Sequence, residues 1–320
     1  MTPNAPPDEV IARFAGDVQR LLGPHISGRI GLAISGGPDS LALLLLAAAT
    51  FPHSVEAATV DHKLRPEAEA EARFVADVCT ALGVPHAILT LDPSRRGKAN
   101  VSDWARQARY AALSGWMKDR ALDHMFTAHH ADDQLETMLM RLNRGAGVAG
   151  LSGVRSRLGT VARPLLGWRK TELEALARTC GLEPVLDPGN SDDRFDRARL
   201  RKALASADWL DPLAATRSAA ALEQAEEALA WSVHRLAAER LSQAGPNATL
   251  DAAGLPRELA RRLVLKALRL INTDCTPRGA DMERLIDTLG AGRTATLAGV
   301  KCHGGALWTF APAPPHRAGR

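Results

Sequence analysis

A short glycine loop between two apolar segments constrains the fold more than any other feature of the chain. Residues 35–40 read Ser-Gly-Gly-Pro-Asp-Ser. Segment 29–35 has the composition of a buried β-strand, and segment 39–50, rich in Leu and Ala, has that of a helix. Paired glycines let the backbone approach an anion closely, and a helix start points free N–H groups and the positive end of its dipole at the same place. The loop therefore predicts a phosphate site at a strand–helix junction.

The same six residues are also compatible with a plain glycine turn. In that case Asp39 or Ser40 would cap the helix, because helix caps and phosphate loops use the same geometry. The spacing differs from the Walker A loop, since no Lys follows the second glycine of a G-x-x-x-x-G pair, and from the dinucleotide fingerprint G-x-G-x-x-G. At a phosphate site Asp39 would add a metal ligand, and Ser35 and Ser40 would add hydroxyl donors.

The first half of the chain alternates apolar runs with helical patterns. Besides the strand before the loop, strands are predicted at 54–61, 86–91 and 123–128. Helices are predicted at 7–22, 39–50, 66–82, 101–120, 131–143 and 168–180. This order is typical of an α/β fold with a parallel sheet flanked by helices. Ligands of such sheets bind beyond the carboxyl ends of the strands, so four loops are expected to meet there, at 35–40, 61–66, 91–100 and 128–133.

The composition changes near residue 210, which predicts two domains. Residues 1–210 form the α/β domain. Residues 211–310 are Ala-rich and amphipathic and predict a second, mainly helical domain, with helices at 212–243, 256–271 and 279–289 and short strands at 294–300 and 306–310. Residues 311–320 are Pro-rich and basic, which predicts a disordered tail.

The composition also limits the class of protein. The chain of 320 residues is 46% hydrophobic and 24% charged, as is usual for a globular protein. Its longest apolar run is much shorter than the roughly 20 residues that cross a bilayer, and the N-terminus lacks a basic-then-apolar signal pattern. Four scattered cysteines without a C-x-x-C pair argue against zinc ribbons and iron–sulfur clusters and favour a reducing, cytoplasmic location.

Arginine is concentrated in the middle of the chain. The chain has a net charge of +4, but the positions of its basic residues are more informative than this sum. Five basic residues fall within nine positions: Arg194, Arg197, Arg199, Arg201 and Lys202. Others precede them: Arg141, Arg144, Arg155, Arg157, Arg163, Arg169 and Lys170. Arginine binds phosphate with two parallel hydrogen bonds, so these stretches are compatible with an RNA backbone. A solvated helix face with mixed charges is the equally simple alternative.

A second group of polar residues opens the helix predicted at 131–143. His129, Asp133 and Glu136 are spaced four and three residues apart, so they share one helix face. The preceding strand ends at the edge of the sheet where the glycine loop is expected. The alternative is that acids in the first turn only complement the helix dipole. Convergence of three groups on the predicted phosphate edge favours a catalytic site.

With these two motifs, the chain resembles the tRNA(Ile)-lysidine synthase family of the PP-loop ATP-pyrophosphatase superfamily. The glycine loop alone matches only the superfamily pattern S-G-G-x-D-S. The family resemblance rests on further segments in the same order: 60–68, 104–110, 127–136, 141–147, 163–166 and 187–201. They cover most of residues 29–201. The chain lacks the length for the extra C-terminal domain of longer members and resembles the short form.

The resemblance implies a defined reaction. ATP would adenylate O2 of the wobble cytidine of a minor tRNA(Ile) with a CAU anticodon, releasing pyrophosphate. The ε-amine of free lysine would then attack C2 and AMP would leave, forming lysidine. The implied cofactors are ATP and Mg²⁺, and the partners are the tRNA and lysine; a homodimer is left open. A PP-loop thiolase, a GMP-synthetase-like amination and a non-catalytic nucleotide- or RNA-binding module are the alternatives.

The resemblance also assigns roles to residues. The nucleotide would contact Ala33, Ser35, Gly36, Gly37, Pro38, Asp39, Ser40, Asp61 and His62. Asp39 and Asp133 would hold Mg²⁺, since hard cations take carboxylate oxygens. Lysine has a pKa of about 10.4 in water, so a carboxylate must bind the ammonium and a base must take its proton. Glu136 would do either or both, with His129 as the alternative base. Asp61–His62 is equally compatible with a turn that stabilises its loop.

Arginines complete the predicted site. Arg109 and Arg199 are expected in the catalytic pocket, and Arg144, Arg194, Arg197 and Arg201 are expected to bind tRNA. Segment 197–199 reads Arg-Ala-Arg, where the family often has Arg-Asn-Arg. The sequence therefore leaves open which arginine between 197 and 201 reaches the reacting groups.

Overall fold

The computed structural model describes residues 2–26, 28–63, 67–96, 101–183 and 196–314. The chain divides into two compact units, Met1–Glu223 and Gln224–Arg320. This division lies inside a long helix, Pro212–Arg240, and is later than the predicted boundary at 210. None of the helices in the described ranges is long and apolar enough to span a membrane.

The first unit is built around a six-stranded sheet. Its strands are β1 (Ile30–Ala33), β2 (Val55–Asp61), β3 (His86–Thr90), β4 (His124–Phe126), β5 (Arg157–Leu158) and β6 (Val161–Ala162). The spatial order is β3-β2-β1-β4-β6-β5, and every pairing is parallel except that of β5 with β6. The predicted α/β fold class is confirmed.

The helices of the first unit flank this sheet. They are α1 (Asp8–Leu22), α2 (Pro38–Thr50), α3 (Ala68–Ala81), α4 (Val101–Asp119), α5 (Ala131–Leu142), α6 (Val148–Leu151), α7 (Lys170–Thr179) and α8 (Asp196–Leu204), with a 3-10 turn at Pro93–Arg96. The long helix Pro212–Arg240 is α9. The predicted loop positions 64–66 and 97–100 and the segment 184–195 lie outside the described residues.

The centre of the sheet positions the glycine loop. In β1, Ile30 pairs with Val55 of β2 on one side and His124 of β4 on the other. Residues 40–47 of α2 are all buried, because α2 packs against the sheet and against α1 and α7. A strand and a helix that are both buried fix the loop between them at the carboxyl edge of the sheet.

The second unit has its own core between two helices and a five-stranded antiparallel sheet. The helices are α10 (Arg257–Ile271) and α11 (Gly279–Gly290). The strands are β7 (Leu241–Ala244), β8 (Asn247–Leu250), β9 (Thr294–Leu297), β10 (Val300–His303) and β11 (Trp308–Pro312), in the order β7-β8-β11-β10-β9. The hairpin of β7 and β8 was not predicted, and residues 241–243, predicted as helix, are strand.

The predicted disordered tail is wrong at its start. Ala311 and Pro312 belong to β11, where they pair with Lys301 and Val300 of β10. Proline lacks an N–H to donate, and Pro312 is the last residue of its strand, where the pairing with β10 ends. Residues 315–320 lie outside the part of the chain that the structure describes.

Candidate active site

A cavity of about 520 Å³ opens at the carboxyl ends of β1, β2 and β4. Residues at or just after these strands line it: Ala33, Ile34, Ser35, Ala58, Thr59, Val60, His62, Thr127, Ala128 and His129. Helices add Asp39, Ser40, Arg109, Tyr110, Leu113, Asp133 and Arg197. The glycine loop and the start of α5 therefore meet at one pocket, as the parallel sheet predicts.

The glycine loop is held by its own serines. The backbone N–H of Ser35 donates to Ser40 Oγ at 3.2 Å, and Ser40 Oγ donates to the carbonyl of Gly37 at 2.9 Å. The N-cap of α2 is Gly37, and no side chain caps the helix. The interpretation of Asp39 or Ser40 as a simple helix cap is therefore wrong, and the helix start keeps N–H groups for a ligand.

Gly36 is required by the conformation of the loop. Its φ of +87° lies in the region that other residues rarely adopt. A Cβ at this position would also lie 3.3 Å from Val75 Cγ2 on α3. The loop thus lies so close to α3 that a side chain at position 36 would displace Val75.

His130 is a buried residue that the sequence analysis left without a role. It is the N-cap of α5, and its Nδ1 accepts the N–H of Asp133 at 3.3 Å. Its Nε2 lies 3.5 Å from Oδ2 of both Asp39 and Asp133. Burial lowers the pKa of His130, but the hydrogen bond to Asp39 and the charges of Asp133, Asp39 and Asp132 outweigh it and raise the pKa. The imidazole thus joins the two carboxylates.

Asp39 and Asp133 fit a magnesium ion. Oδ1 of Asp39 is buried and has no hydrogen-bond partner among the described residues. Burial alone would raise the pKa of Asp133. The net shift is downward, because this effect is outweighed by the charges of His130, His129 and Arg197 and by the backbone N–H of His130. This carboxylate therefore stays ionised. The described part of the chain holds no cluster of three or more His, Cys, Asp or Glu ligands. Phosphate and water oxygens would supply the remaining ligands, as is usual for Mg²⁺.

His129 is a neutral histidine at the pocket wall. Burial lowers its pKa to about 4; Asp133 opposes the shift, and Arg163, Arg109 and Arg197 add to it. A hydrogen bond of 2.9 Å joins its Nδ1 to Thr127 Oγ1. At neutral pH the ring therefore has one nitrogen able to accept a proton.

Glu136 is occupied on both oxygens by arginines of α8. Arg197 Nε donates to Oε2 at 2.8 Å, and Arg201 Nε donates to Oε1 at 2.6 Å. Glu136 is only 4% exposed. Arg199 does not join this group, because its guanidinium pairs with Asp196 of its own helix and is exposed. The structure thus replaces Arg199 by Arg197 and Arg201 as the arginines of α8 that reach the site.

Arg109 and His62 line the pocket, whereas Asp61 does not. Burial lowers the pKa of Arg109, and among the described residues it forms no ion pair. His62 Nδ1 is buried and has no hydrogen-bond partner in the described ranges of the chain. Burial, followed by the charge of Arg109, lowers the pKa of His62. Asp61 accepts the N–H of Lys63 at 2.8 Å and pairs with Lys63 Nζ at 3.1 Å, so it holds the turn after β2.

Three comparisons with known proteins agree with this geometry. The model of the PP-loop domain matches residues 11–207. A tRNA(Ile)-lysidine synthase of Novosphingobium aromaticivorans is 45% identical, over 97% of this chain and 95% of that protein. Another, of Zymomonas mobilis subsp. mobilis, is 41% identical over 95% of this chain and 94% of that protein. The chain belongs to the tRNA(Ile)-lysidine synthase family.

Among solved structures, the U34-tRNA thiolase NcsA from Methanococcus maripaludis shares the fold of this member of the tRNA(Ile)-lysidine synthase family. The TM-score is 0.54, at 17% identity, over 68% of this chain and 80% of that chain. At that identity the likeness concerns the fold alone. It supports the assignment of the first unit to the PP-loop fold.

The arginines that the family resemblance assigned to tRNA have different positions. Arg144 is exposed, 3.7 Å from Asp196. Arg197 and Arg201 are half-buried and pair with Glu136. Arg194 lies outside the described residues.

Several residues that shape the site were missed in the sequence. Asp132 turns away from its neighbour Asp133 and accepts the N–H of Lys170 at 2.8 Å, which ties α5 to the start of α7. Gln134, 2% exposed, bonds to both backbone groups of Val154, and Arg141 Nη1 donates to the carbonyls of Gly150 and Gly153. Their positions along α5 were visible in the sequence, but their partners in the loops were not.

Proposed function

We propose that this protein, an ATP-using ligase, joins free lysine to C2 of the wobble cytidine of tRNA(Ile) with a CAU anticodon. ATP adenylates O2 of the base and releases pyrophosphate; the lysine ε-nitrogen then forms the bond to C2, and O2 leaves with AMP. The observation that carries this proposal is that the phosphate loop, His129 and Asp133 meet at one pocket in a chain with lysidine-synthase relatives.

The two sides of the pocket suit two parts of the nucleotide. Ala33, Ala58 and Val60 give one apolar wall, which suits an adenine ring. Ser35 and the N-terminal end of α2 suit the phosphates, because backbone N–H groups and the helix dipole both favour anions. The buried, unpartnered Nδ1 of His62 supports its role as a polar contact to the nucleoside.

Asp39 and Asp133 would hold Mg²⁺ between them. When bound, the ion neutralises negative charge on the leaving pyrophosphate. Around it, His130 orients both carboxylates, since its Nε2 faces Oδ2 of each. The ring of His130 is only 3% exposed, so it orients both carboxylates from a buried position.

His129 is our choice of base. The oxygens of Glu136 already accept guanidinium hydrogen bonds, whereas the ring of His129 is neutral, so one of its nitrogens carries no proton. The arginines that lower the pKa of His129 also disfavour an ammonium beside them, which helps lysine lose its first proton. His129 would accept the second proton as the C–N bond forms. Glu136 would bind the lysine ammonium on arrival.

The thiolase alternative has no support in the pocket. All four cysteines are buried free thiols, and none lines the cavity. Burial raises the pKa of Cys79 to about 12, so its reactive thiolate is disfavoured. Free thiols also fit our expectation that the protein works in the reducing cytoplasm.

An assay with labelled lysine tests the proposal. The full chain is incubated with ATP, Mg²⁺, labelled lysine and an unmodified tRNA(Ile) transcript with a CAU anticodon. Label should enter the tRNA only when ATP is present, and a transcript with a GAU anticodon should stay unlabelled. No ATP-dependent label in the CAU transcript, from folded protein, would refute the proposal.

A further inference from the structure

The carboxylate of Glu136 is closed to a new ligand in the structure. Each oxygen accepts a charged hydrogen bond, from Arg197 Nε at 2.8 Å and from Arg201 Nε at 2.6 Å. The side chain is almost wholly buried. The ammonium of a lysine would be a third cation at this one carboxylate, and its repulsion with both guanidiniums favours binding only where one of them leaves.

The two arginines differ in what they can reach. Arg197 lines the pocket, and its side chain is 41% exposed. It also donates to Thr137 Oγ1 at 3.1 Å and lies 3.8 Å from Asp133 Oδ1. Neither Arg201 nor Glu136 lines the pocket. A ligand in the cavity therefore meets the guanidinium of Arg197 and not that of Arg201.

The charge of the nucleotide supplies a competing partner for Arg197. A triphosphate carries several negative charges, and guanidinium binds phosphate with the same paired geometry as it binds carboxylate. In the structure Arg197 Nε donates to Oε2 of Glu136 at 2.8 Å. Once a nucleotide fills the pocket, its oxyanions offer the guanidinium a second partner at the same wall.

We propose, on the basis of the lysine role given to Glu136 above, that Arg197 exchanges partners when ATP binds. Its guanidinium leaves Glu136 for an oxyanion of the nucleotide, and Oε2 of Glu136 then receives the ammonium of lysine. Arg201 stays on Oε1 and keeps the carboxylate in place. Arg197 is thus a residue that opens the lysine site only in the nucleotide complex, and binding of the two ligands is positively coupled.

Equilibrium dialysis with labelled lysine tests this exchange on the full chain. Lysine affinity is measured without nucleotide and with Mg²⁺ and α,β-methylene ATP. This analogue cannot transfer its adenylyl group to a base. For the wild-type protein, the nucleotide should tighten lysine binding about tenfold, the scale of one charged hydrogen bond. Arg197→Met should tighten lysine binding about tenfold without nucleotide and should remove the nucleotide effect.

Arg178→Met is the matched control, because Arg178 also pairs with a glutamate, Glu174 at 3.5 Å, but does not line the pocket. It should keep the wild-type affinity and nucleotide effect. Equal lysine affinity with and without nucleotide in the wild-type protein overturns the exchange. So does an Arg197→Met protein, shown to be folded by circular dichroism, that binds lysine no more tightly than wild type.

A crystal structure of the wild-type protein with Mg²⁺ and the same analogue tests the exchange without a variant. Arg197 Nε should have left Glu136 Oε2; an unchanged contact at 2.8 Å contradicts the proposal. Glu136→Gln separates the two claims. If it binds lysine as wild type does, the lysine role of Glu136 itself is wrong. If it loses lysine while Arg197→Met gains nothing, only the exchange is wrong.

Discussion

Two adjacent carboxylates at the start of α5 have separate roles, because a helix turns by about 100° per residue. Asp133 faces Asp39 and His130 in the pocket, and Asp132 faces α7. The sequence showed a pair of acids at the right edge of the sheet. It could not show which of them α7 would occupy, since that contact joins positions 38 residues apart.

Substitution of this pair separates chemistry from stability. Asp133→Asn should lower the rate of lysine transfer by at least about 100-fold, because one carboxylate ligand of the metal is lost. Asp132→Asn should keep that rate within about twofold and cost about 1 kcal/mol of unfolding free energy, the value of a helix cap. Labelled-lysine transfer and urea denaturation measure the two effects. Equal losses of rate in both variants would remove the metal role of Asp133.

Burial of neutral His129 predicts a loss of stability in acid. The folded-state pKa is lowered to about 4, so the unfolded chain takes up a proton at higher pH than the folded chain. Stability is therefore present above the ordinary histidine pKa of about 6.5 and falls as the pH drops toward 4, by up to about 3 kcal/mol. His129→Gln should remove this contribution to the pH dependence of the unfolding free energy, measured by urea denaturation between pH 7 and 4.5. The exposed His25, changed to Gln, is the control.

At the scale of elements, the helices and strands predicted in the first unit lie within two residues of their observed bounds, whereas the helix predicted at 212–243 ends three residues earlier. No bounds were predicted for α6, α8, β5 and β6. The helix predicted at 131–143 is Ala131–Leu142, and the strand at 54–61 is Val55–Asp61. Both carry several periods of their pattern. β5 and β6 have two residues each, so they show no period, and only their partners in the sheet define them.

Positions of arginines on α8 show the same limit. Arg197 and Arg201 lie four residues apart on one helix face, which the sequence contains. That this face meets Glu136, across more than 60 residues of chain, is a tertiary contact that spacing cannot predict. The sequence therefore left the choice among 197, 199 and 201 open.

The loop after α5 is built around a glycine, which gives an element-scale prediction. A Cβ on Gly153 would lie 2.5 Å from Gln134 Oε1, and its φ is +67°. Gly153→Ala should cost about 2 to 3 kcal/mol of unfolding free energy, from backbone strain plus a displaced buried amide. Gly159→Ala, at φ +58° with nothing within 4 Å, should cost about 1 kcal/mol from strain alone. Equal losses of unfolding free energy in the two variants, measured by guanidinium denaturation, would show that the Gln134 side chain moves aside without an energetic cost.

At the scale of the whole molecule, all residues of the pocket come from the first unit, and the second unit has a separate core. The composition predicted two domains, although it placed the boundary at 210 rather than after Glu223. A tRNA is much larger than a pocket of about 520 Å³, so most of its contacts must lie on the surface.

Exposed arginines are expected to set the salt dependence of tRNA binding. Arg144→Ala should weaken tRNA binding by about threefold and lower the slope of log affinity against log salt by about 1, if its guanidinium meets one phosphate. ATP binding should not change. The control is Arg217→Ala, an exposed arginine paired with Asp211. Filter binding at several salt concentrations measures both slopes; the same slope for Arg144→Ala and wild type would contradict the contact.

The identity of nucleoside 34 after the reaction tests the central claim most directly. The tRNA(Ile) transcript with a CAU anticodon is incubated with the full chain, ATP, Mg²⁺ and lysine, digested to nucleosides, and analysed by mass spectrometry. We predict that cytidine 34 is replaced by a nucleoside carrying lysine in place of O2, with one AMP and one pyrophosphate formed per modified tRNA. An unmodified cytidine 34, or a base that has gained sulfur or ammonia instead of lysine, would contradict the account.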